Sequence, residues 1–443
     1  MKKLATKKGS LKSTITIAMS NYLEAGSIVA GAGGLTLWME YLNLNDYKLG
    51  LLGALSANGF GSAVGALIGG ALVDKYGRKF IYKYDLLVYM LGILLIMFSF
   101  NFPMLLIGYV ITGLAVGAAI PAAWTYIAEE APDGERAARV GWGQLAWSVG
   151  PAVTLLLSVA LAPLGLLGSR IIFGQLFVIA LITWILQQQI SESQIWEEEK
   201  KKQAQEIQKG IKQKSSIKEL FTVKANLNAL VLLIGIYCFW NLVAGVMGYF
   251  MPYIYETVGG LSSTQANLLQ AFLWILTVAA TYFVFIKLGD KFNRRVLYGV
   301  GAFMGIVAWA VLAYGSMGMT ELLIFVILWG VAAGFGAQAF YGLWAGELFH
   351  TKYRAKAQGF IFFVARIAVG IISLVIPLMI TTLGFAKSGT IMIIFLVIAA
   401  VIGIVLAPET RGKSLKQIEE ERYGTVEEEE KVSTTDEKTI ESL

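Results

Sequence analysis

LVDKYGRK, at residues 72–79, returns near the middle of the chain as LGDKFNRR, at residues 288–295. A second stretch behaves in the same way, because YIAEEAPDGERAARVG at 126–141 returns as WAGELFHTKYRAKAQG at 344–359. The displacement is 216 residues for the first pair and 218 for the second, in a chain of 443 residues. The sequence therefore predicts two halves of the same organisation.

The apolar content of the chain is typical of a membrane protein. Hydrophobic residues make up 56% of it and charged residues only 15%, whereas soluble domains carry about 25% charged residues. Apolar runs long enough to cross a bilayer core of about 30 Å recur along the whole chain. We predict twelve spans, at 14–38, 49–72, 82–100, 103–127, 138–161, 169–189, 226–252, 264–288, 294–315, 320–346, 355–383 and 387–407.

Lysine and arginine gather in the loops on one side of this zigzag, as in DKYGRKFIYK (74–83) and TRGKSLK (410–416). By the positive-inside rule both termini are cytoplasmic, and the chain is a multi-pass protein of the cell membrane. The predicted domains are a cytoplasmic N-terminus (1–13), a six-helix bundle (14–189), a cytoplasmic linker with short helices (190–225), a second six-helix bundle (226–407) and a partly disordered cytoplasmic tail (408–443).

Composition also argues against several function classes. Cys238 is the only cysteine and His350 the only histidine, so neither a disulfide framework nor a metal site is expected. No catalytic cluster and no phosphate-binding GxxxxGK[ST] pattern occurs, which argues against an enzyme, a cofactor and nucleotide hydrolysis. The net charge of +6 lies in particular loops, so it indicates topology and not nucleic-acid binding.

Five motifs, in order along the chain, resemble those of one family. GALVDKYGRK (70–79) resembles the loop signature of the major facilitator superfamily. YIAEEAPDGER (126–136), ISESQIW (190–196), ELFHTKYRAKAQG (347–359) and APETRGKSL (407–415) are similar to motifs of its sugar-porter branch. The resemblance covers nearly the whole chain. It implies an all-α membrane protein with twelve transmembrane helices in two pseudo-symmetric six-helix bundles, working by alternating access.

The resemblance also assigns the loop charges to a cytoplasmic gating network. A carboxylate such as Asp74, which follows a span, can face the positive N-terminus of a helix in the other bundle. Such contacts would close the cytoplasmic side, although the same charges could serve only to fix topology. The network comprises Asp74, Arg78, Glu129 and Arg136 in the first half and Asp290, Arg294, Glu347 and Arg354 in the second.

The chain departs from the sugar porters at the expected substrate site. Glu24 stands where that branch has an aspartate on span 1, but Tyr109 replaces the arginine that partners it on span 4. Phe239 and Trp240 replace two glutamines of span 7, whereas the span-5 glutamine is retained as Gln144. The binding chemistry is therefore expected to differ from that of the branch.

Arg366 is a new charge, deep in span 11. At 1.5 Å per residue, Glu24 and Arg366 each lie roughly 14–15 Å from the cytoplasmic side, near the depth at which transporter substrates bind. A guanidinium cannot be deprotonated, so it needs a partner. The candidates are Glu24, backbone carbonyls with aromatic faces, or an anionic group of the substrate. Of these we favour the anionic group of the substrate.

Polar and aromatic residues cluster on helix faces at this depth and suit a small polar ligand with apolar faces. Aromatic residues also fill helix packing or sit in interfacial belts. The predicted substrate-binding residues are Asn21, Glu24, Gln144, Trp147, Trp240, Asn241, Gln270, Gln338, Tyr341, Trp344 and Arg366.

The predicted function is proton-coupled uptake of a sugar, polyol, sugar acid or other organic anion by a monomer in the lipid bilayer. Glu24, as the acid deep in a span, is the predicted proton carrier. A drug–proton antiporter is an alternative, but Ala146 interrupts the glycine spacing of its span-5 motif in GWGQLAWSVGP (141–151). A uniporter is a further alternative.

Overall fold

The computed structural model describes residues 10–209 and 216–424, and their regular structure is almost entirely α-helical. The predicted N-terminus lies largely, and the end of the tail wholly, outside the described residues. The helices are α1 (Leu11–Gly33), α2 (Leu35–Leu42), α3 (Asp46–Leu55), α4 (Phe60–Tyr76), α5 (Arg78–Met97), α6 (Phe102–Glu130), α7 (Arg136–Leu161), α8 (Leu166–Gln187), α9 (Gln194–Gln208), α10 (Ser216–Thr222), α11 (Lys224–Thr257), α12 (Ser263–Ala280), α13 (Arg294–Tyr314), α14 (Met319–Phe335), α15 (Ala337–Glu347), α16 (Arg354–Leu383), α17 (Phe385–Leu406) and α18 (Leu415–Tyr423).

Side chains that accept hydrogen bonds fix where several helices begin. Asn101 and Ser193 accept hydrogen bonds from the first-turn amides of α6 and α9. Ser262 and Ser414 form reciprocal capping boxes with the glutamines three residues later, at the starts of α12 and α18. These caps satisfy amides that the helix itself leaves unpaired.

Eleven helical stretches of the described chain are long and apolar enough to cross a membrane. The first helix, α1, is less apolar because it carries Asn21, Glu24 and Ser27, all of which are buried. It packs against α6, α7, α8 and α11, and with it the part of the chain that the structure describes has twelve transmembrane helices. Large apolar side chains such as Leu91 and Phe303 are exposed on the outer surface, which suits contact with lipid.

Four predicted spans are not continuous α-helices. The first, 14–38, breaks at Gly34, between α1 and α2. The second span breaks at residues 56–59, between α3 and α4, and the tenth breaks at Gly336, between α14 and α15. The eighth span, which starts as α12, ends in a π-helical stretch, Thr281–Ile286. Broken helices in transporters lie where the interrupted backbone faces a cavity and not lipid.

The helices form two bundles, α1–α8 and α11–α17, that meet along α4 with α16 and along α7 with α12. The first contact is close because it is made by glycine. A Cβ on Gly70 would lie 2.6 Å from the Ala355 carbonyl oxygen, and one on Gly359 would collide with the Ala66 carbonyl. The short helices α9, α10 and α18 gather at one end of the molecule, beside the loop that joins α4 to α5 and the start of α16. We call this the ion-pair end.

Candidate functional site

An ion pair at the centre of the molecule joins the two bundles. Nη2 of Arg366, on α16, lies 2.5 Å from Oε1 of Glu24, on α1. The indole N–H of Trp147, on α7, donates to the other carboxylate oxygen at 3.1 Å. Both charged side chains are buried, with 2–3% of their surface exposed. A substrate anion is the partner of Arg366 favoured from the sequence, but in the structure the charged partner is Glu24.

The second side of Arg366 is occupied by Asn58. Its Nη1 donates to Oδ1 of Asn58 at 3.0 Å and to the Asn58 carbonyl oxygen at 3.4 Å. The guanidinium also lies 4.7 Å from the centre of the Phe362 ring, where a cation is attracted by the ring face. Asn58 was not predicted from the sequence. The turn-forming stretch SANG at 56–59, inside a predicted span, was the available signal.

A narrow cavity lies beside this pair, with room for about one water molecule. Trp147 and Trp274 meet edge to face there, with ring centroids 5.3 Å apart. Within the described residues, neither amide atom of Gln270 has a hydrogen-bond partner, and the same is true of Oε1 of Gln144 and the indole N–H of Trp274. The predicted residues that line the cavity are Gln144, Trp147, Trp240, Asn241, Gln270, Gln338 and Arg366.

Four predicted binding residues lie outside the cavity lining: Glu24, which pairs with Arg366, and three others. Asn21 donates to the Gly143 carbonyl at 3.2 Å and so ties α1 to α7. Tyr341 stacks on Tyr237 with ring centroids 3.8 Å apart. Trp344 is fully buried and packs against Phe340. Asn21, Tyr341 and Trp344 therefore contribute to the packing of the helices, and their role in binding stays a prediction.

Asp85, near the start of α5, is a second buried carboxylate within a span. Among the described residues, no side chain donates a hydrogen bond to either of its carboxylate oxygens. Asp85 lies within the predicted span 82–100, but the prediction from the sequence named Glu24 as the acid deep in a span and missed Asp85. Its burial in the structure makes it a further group whose protonation matters for stability.

The predicted gating charges gather at the ion-pair end, where contacts cross between the bundles. Glu129 accepts from Arg78 at 2.6 Å within its own half and from Arg354 of the other half at 3.0 Å. Glu347 is the counterpart. It accepts from Arg294 at 2.9 Å and from Arg136 of the first half at 3.1 Å.

Two aspartates complete this network by capping helices of the opposite bundle. Oδ2 of Asp74 accepts from the backbone N–H of Lys356 at 2.9 Å, in the first turn of α16. Asp290 accepts from the N–H groups of Ala137 and Ala138, at 3.2 and 3.0 Å, in the first turn of α7. Each carboxylate therefore stabilises the positive end of a helix in the other bundle.

The tail adds contacts that the sequence argument did not foresee. Glu419, on α18, accepts from Arg354 at 3.2 Å, and the Lys413 carbonyl accepts from Arg136 at 3.3 Å. Ile418, on the inner face of α18, is buried. The available signal was the Ser414–Gln417 capping box in a segment whose charge suggested disorder.

Comparison with known proteins identifies the family of this chain. The family model described as "Sugar (and other) transporter" matches residues 47–421. The chain belongs to this family. The resemblance drawn from the five motifs is thereby confirmed, and the protein is a multi-pass membrane transporter and not an enzyme.

Individual proteins that are named as transporters match over most of the chain. The minor myo-inositol transporter IolF of Bacillus subtilis is 48% identical over 415 residues, which are 94% of each chain. The glucose transporter GlcP of Staphylococcus epidermidis is 27% identical over 88% of this chain and 92% of its own. Among solved structures, the proton:xylose symporter XylE, which belongs to the major facilitator superfamily, matches with a TM-score of 0.78. It is 20% identical to this chain and covers 93% of it and 99% of its own length.

Proposed function

We propose that the protein is a proton-coupled symporter for a neutral cyclic polyol, the chemical class of myo-inositol. The observation that carries this proposal is that the guanidinium of Arg366 already has partners within the protein. Arg366 is the only charged residue among those lining the cavity in the described chain, and Glu24 and Asn58 already occupy it. An anionic substrate would therefore have to compete with Glu24 for the guanidinium.

Neutral groups remain for the substrate. Gln270, Gln144 and Trp274 together offer unpaired amide and indole donors and acceptors beside the cavity. The indoles of Trp147 and Trp240 line the same space. A saturated ring with hydroxyl groups around its edge presents donors and acceptors to such amides and apolar C–H faces to such indoles. The 48% identity to a protein named as a myo-inositol transporter supports this class.

Glu24 is the proposed proton site. When it takes a proton, the Coulombic attraction to Arg366 is lost and the two bundles lose one of the contacts that hold them together at the centre. The neutral acid then favours a different relative position of the bundles. A proton thereby shifts the population between the conformation open to the outside and the one open to the cytoplasm. Trp147, which lines the cavity, holds the carboxylate through its indole N–H.

The ion-pair end is the proposed cytoplasmic end. Basic loops gather there, and cytoplasmic loops of membrane proteins carry an excess of lysine and arginine. Both termini then lie in the cytoplasm, the protein resides in the cell membrane as a monomer, and the contacts around Glu129 and Glu347 close its cytoplasmic side.

Uptake into proteoliposomes tests the proposal. We expect saturable accumulation of myo-inositol driven by an inward proton gradient and abolished by a protonophore. D-glucuronate, which matches a hexose in size but carries a carboxylate, serves as the anionic comparison. Gradient-driven uptake of D-glucuronate without uptake of myo-inositol would overturn the neutral-polyol assignment.

A further inference from the structure

We propose that Asn58 is a positioning residue for proton coupling: it holds Arg366 in place and sets how strongly that guanidinium attracts Glu24. This inference rests on the proposed role of Glu24 as the proton site. The feature that carries it is the break between α3 and α4, which brings both oxygens of Asn58 onto one nitrogen of Arg366, at 3.0 and 3.4 Å.

Asn58 is itself fixed by two further contacts. Its backbone N–H donates to the Ser56 hydroxyl at 3.1 Å, and its side-chain Nδ2 donates to the Gly245 carbonyl, on α11, at 3.0 Å. Because the amide nitrogen faces a carbonyl that can only accept, the amide oxygen faces Arg366. Asn58 is therefore a rigid acceptor for the guanidinium, anchored to both bundles.

Such an acceptor is needed in the part of the transport cycle in which Glu24 is protonated. Arg366 keeps its positive charge at all relevant pH values. When Glu24 takes a proton, the guanidinium loses its counter-charge but stays buried, and a buried charge without partners is strongly unfavourable. Asn58 and the face of Phe362 are the partners that remain. Asn58 thus lowers the free energy of the protonated state relative to the ion-paired state.

The other ionisable groups near the pair do not compete for this role. Tyr237 from α11 and Tyr341 from α15 are the titratable groups that interact electrostatically with both Glu24 and Arg366. Tyrosine ionises at about pH 10 in water, so both rings are neutral through the physiological range. The charge balance at this site is set by Glu24, Arg366 and the residue at position 58.

Two substitutions at position 58 should move the pH dependence of uptake in opposite directions. Asn58→Asp places a second carboxylate on the same guanidinium, so Glu24 binds its proton more readily and the midpoint of the pH–rate profile should rise by about one pH unit. Asn58→Ala removes the competing acceptor, so Arg366 attracts the Glu24 carboxylate more strongly and the midpoint should fall. A residue that only supports packing would change the maximal rate and leave the midpoint in place.

Asn267→Asp is the matched control. It adds the same charge beside the Gly33 carbonyl, nine residues along α1 from Glu24 and hence about 14 Å away, and should leave the midpoint unchanged. Unshifted midpoints in both Asn58 variants, or an equal shift in the control, would overturn the inference. If Asn58→Asp does not fold, as judged by its melting temperature, Asn58→Ala and Asn58→Ser decide the question. Gradient-driven accumulation that is lost in Glu24→Gln, together with unshifted midpoints in the Asn58 variants, would refute only the inference and leave the proposed function standing.

Discussion

At the scale of single residues, the Glu24–Arg366 pair explains how two charges remain within a membrane protein. Each would be costly alone at this depth, at about 2.5–3.5 kcal/mol or more. Each has instead a charged partner and at least one neutral one, Trp147 for the acid and Asn58 for the guanidinium. The pair bridges two bundles that move relative to each other, so its making and breaking is linked to the transport cycle.

Glu24→Gln should uncouple transport from the proton gradient. Glutamine has the shape of the protonated acid but cannot release a proton, and Asn58 still satisfies Arg366 in this variant. We expect uphill accumulation of substrate to be abolished while exchange of labelled for unlabelled substrate across the membrane persists. Both are measured in proteoliposomes with and without a pH gradient, and undiminished uphill uptake would contradict the assignment of the proton site.

Gln270→Ala should weaken substrate binding while leaving the free protein as stable as before. Its amide has no partner within the described protein, so the substitution breaks no hydrogen bond on the protein side. A lost hydrogen bond to substrate should raise the Kd about tenfold, equivalent to about 1.4 kcal/mol. Isothermal titration and thermal melting separate the two effects.

Asn21→Ala is the matched comparison for Gln270→Ala. Its amide is used in the bond to the Gly143 carbonyl, so this variant should lower the melting temperature and change the Kd little. The reverse pattern in the two variants would place the substrate against Asn21 and not Gln270.

At the scale of elements, hydrophobic runs predicted nearly all of the transmembrane helices but not their interruptions. The second span breaks at SANG and the tenth at a glycine, and small residues of this kind are mild enough in hydropathy to leave an apolar run intact. A break is decided by tertiary contacts, here those of Asn58 with Arg366 and Gly245. A single sequence does not contain that information in readable form.

Helix α18 should hold the ion-pair end closed. Besides the bond from Glu419 to Arg354, Arg422 donates to the Ala225 carbonyl at 2.6 Å and so ties the tail to the start of α11. Deleting residues 415–443 should increase labelling of a cysteine placed at Ala345, which is fully buried beneath this end, in a Cys238→Ser background.

Deleting only residues 425–443 is the control for this truncation, because it removes none of the contacts described for α18. We expect its labelling rate at position 345 to match that of the full chain. Equal rates in both truncations would show that α18 does not contribute to closure.

At the scale of the whole molecule, the duplicated motifs predicted the fold and grouped the gating charges into one set in each half. The spacing of Glu129 to Arg136 equals that of Glu347 to Arg354, but the arginine of each half pairs with the glutamate of the other, which the sequence did not predict. The central site was harder to predict. Its composition was visible in the sequence, but the pairing of Arg366 depends on how two bundles are placed, which no local pattern reports.

Arg136→Ala and Arg354→Ala should have the same effect, because each removes one crossing ion pair at the ion-pair end. We expect both to shift the resting population towards the state open at that end, by about tenfold for each 1.4 kcal/mol of lost closure. Cysteine labelling from each side of the membrane measures the shift. Arg139→Ala is the control, because Arg139 pairs only with Glu135 of its own helix start in the described chain.

The crossing contacts are reciprocal. Arg136 of the first half binds Glu347 of the second, and Arg354 of the second binds Glu129 of the first. The two aspartates cross in the same way: Asp74 of the first half caps α16 of the second, and Asp290 of the second half caps α7 of the first. A surface in which patch i meets j while j meets i is the hallmark of a two-fold dimer. Each half thus carries the complement of its own surface, as an ancestor of half the length would need to assemble from two identical copies. A gene divided between α8 and α11 should accordingly yield two polypeptides that find each other in the membrane and restore uptake.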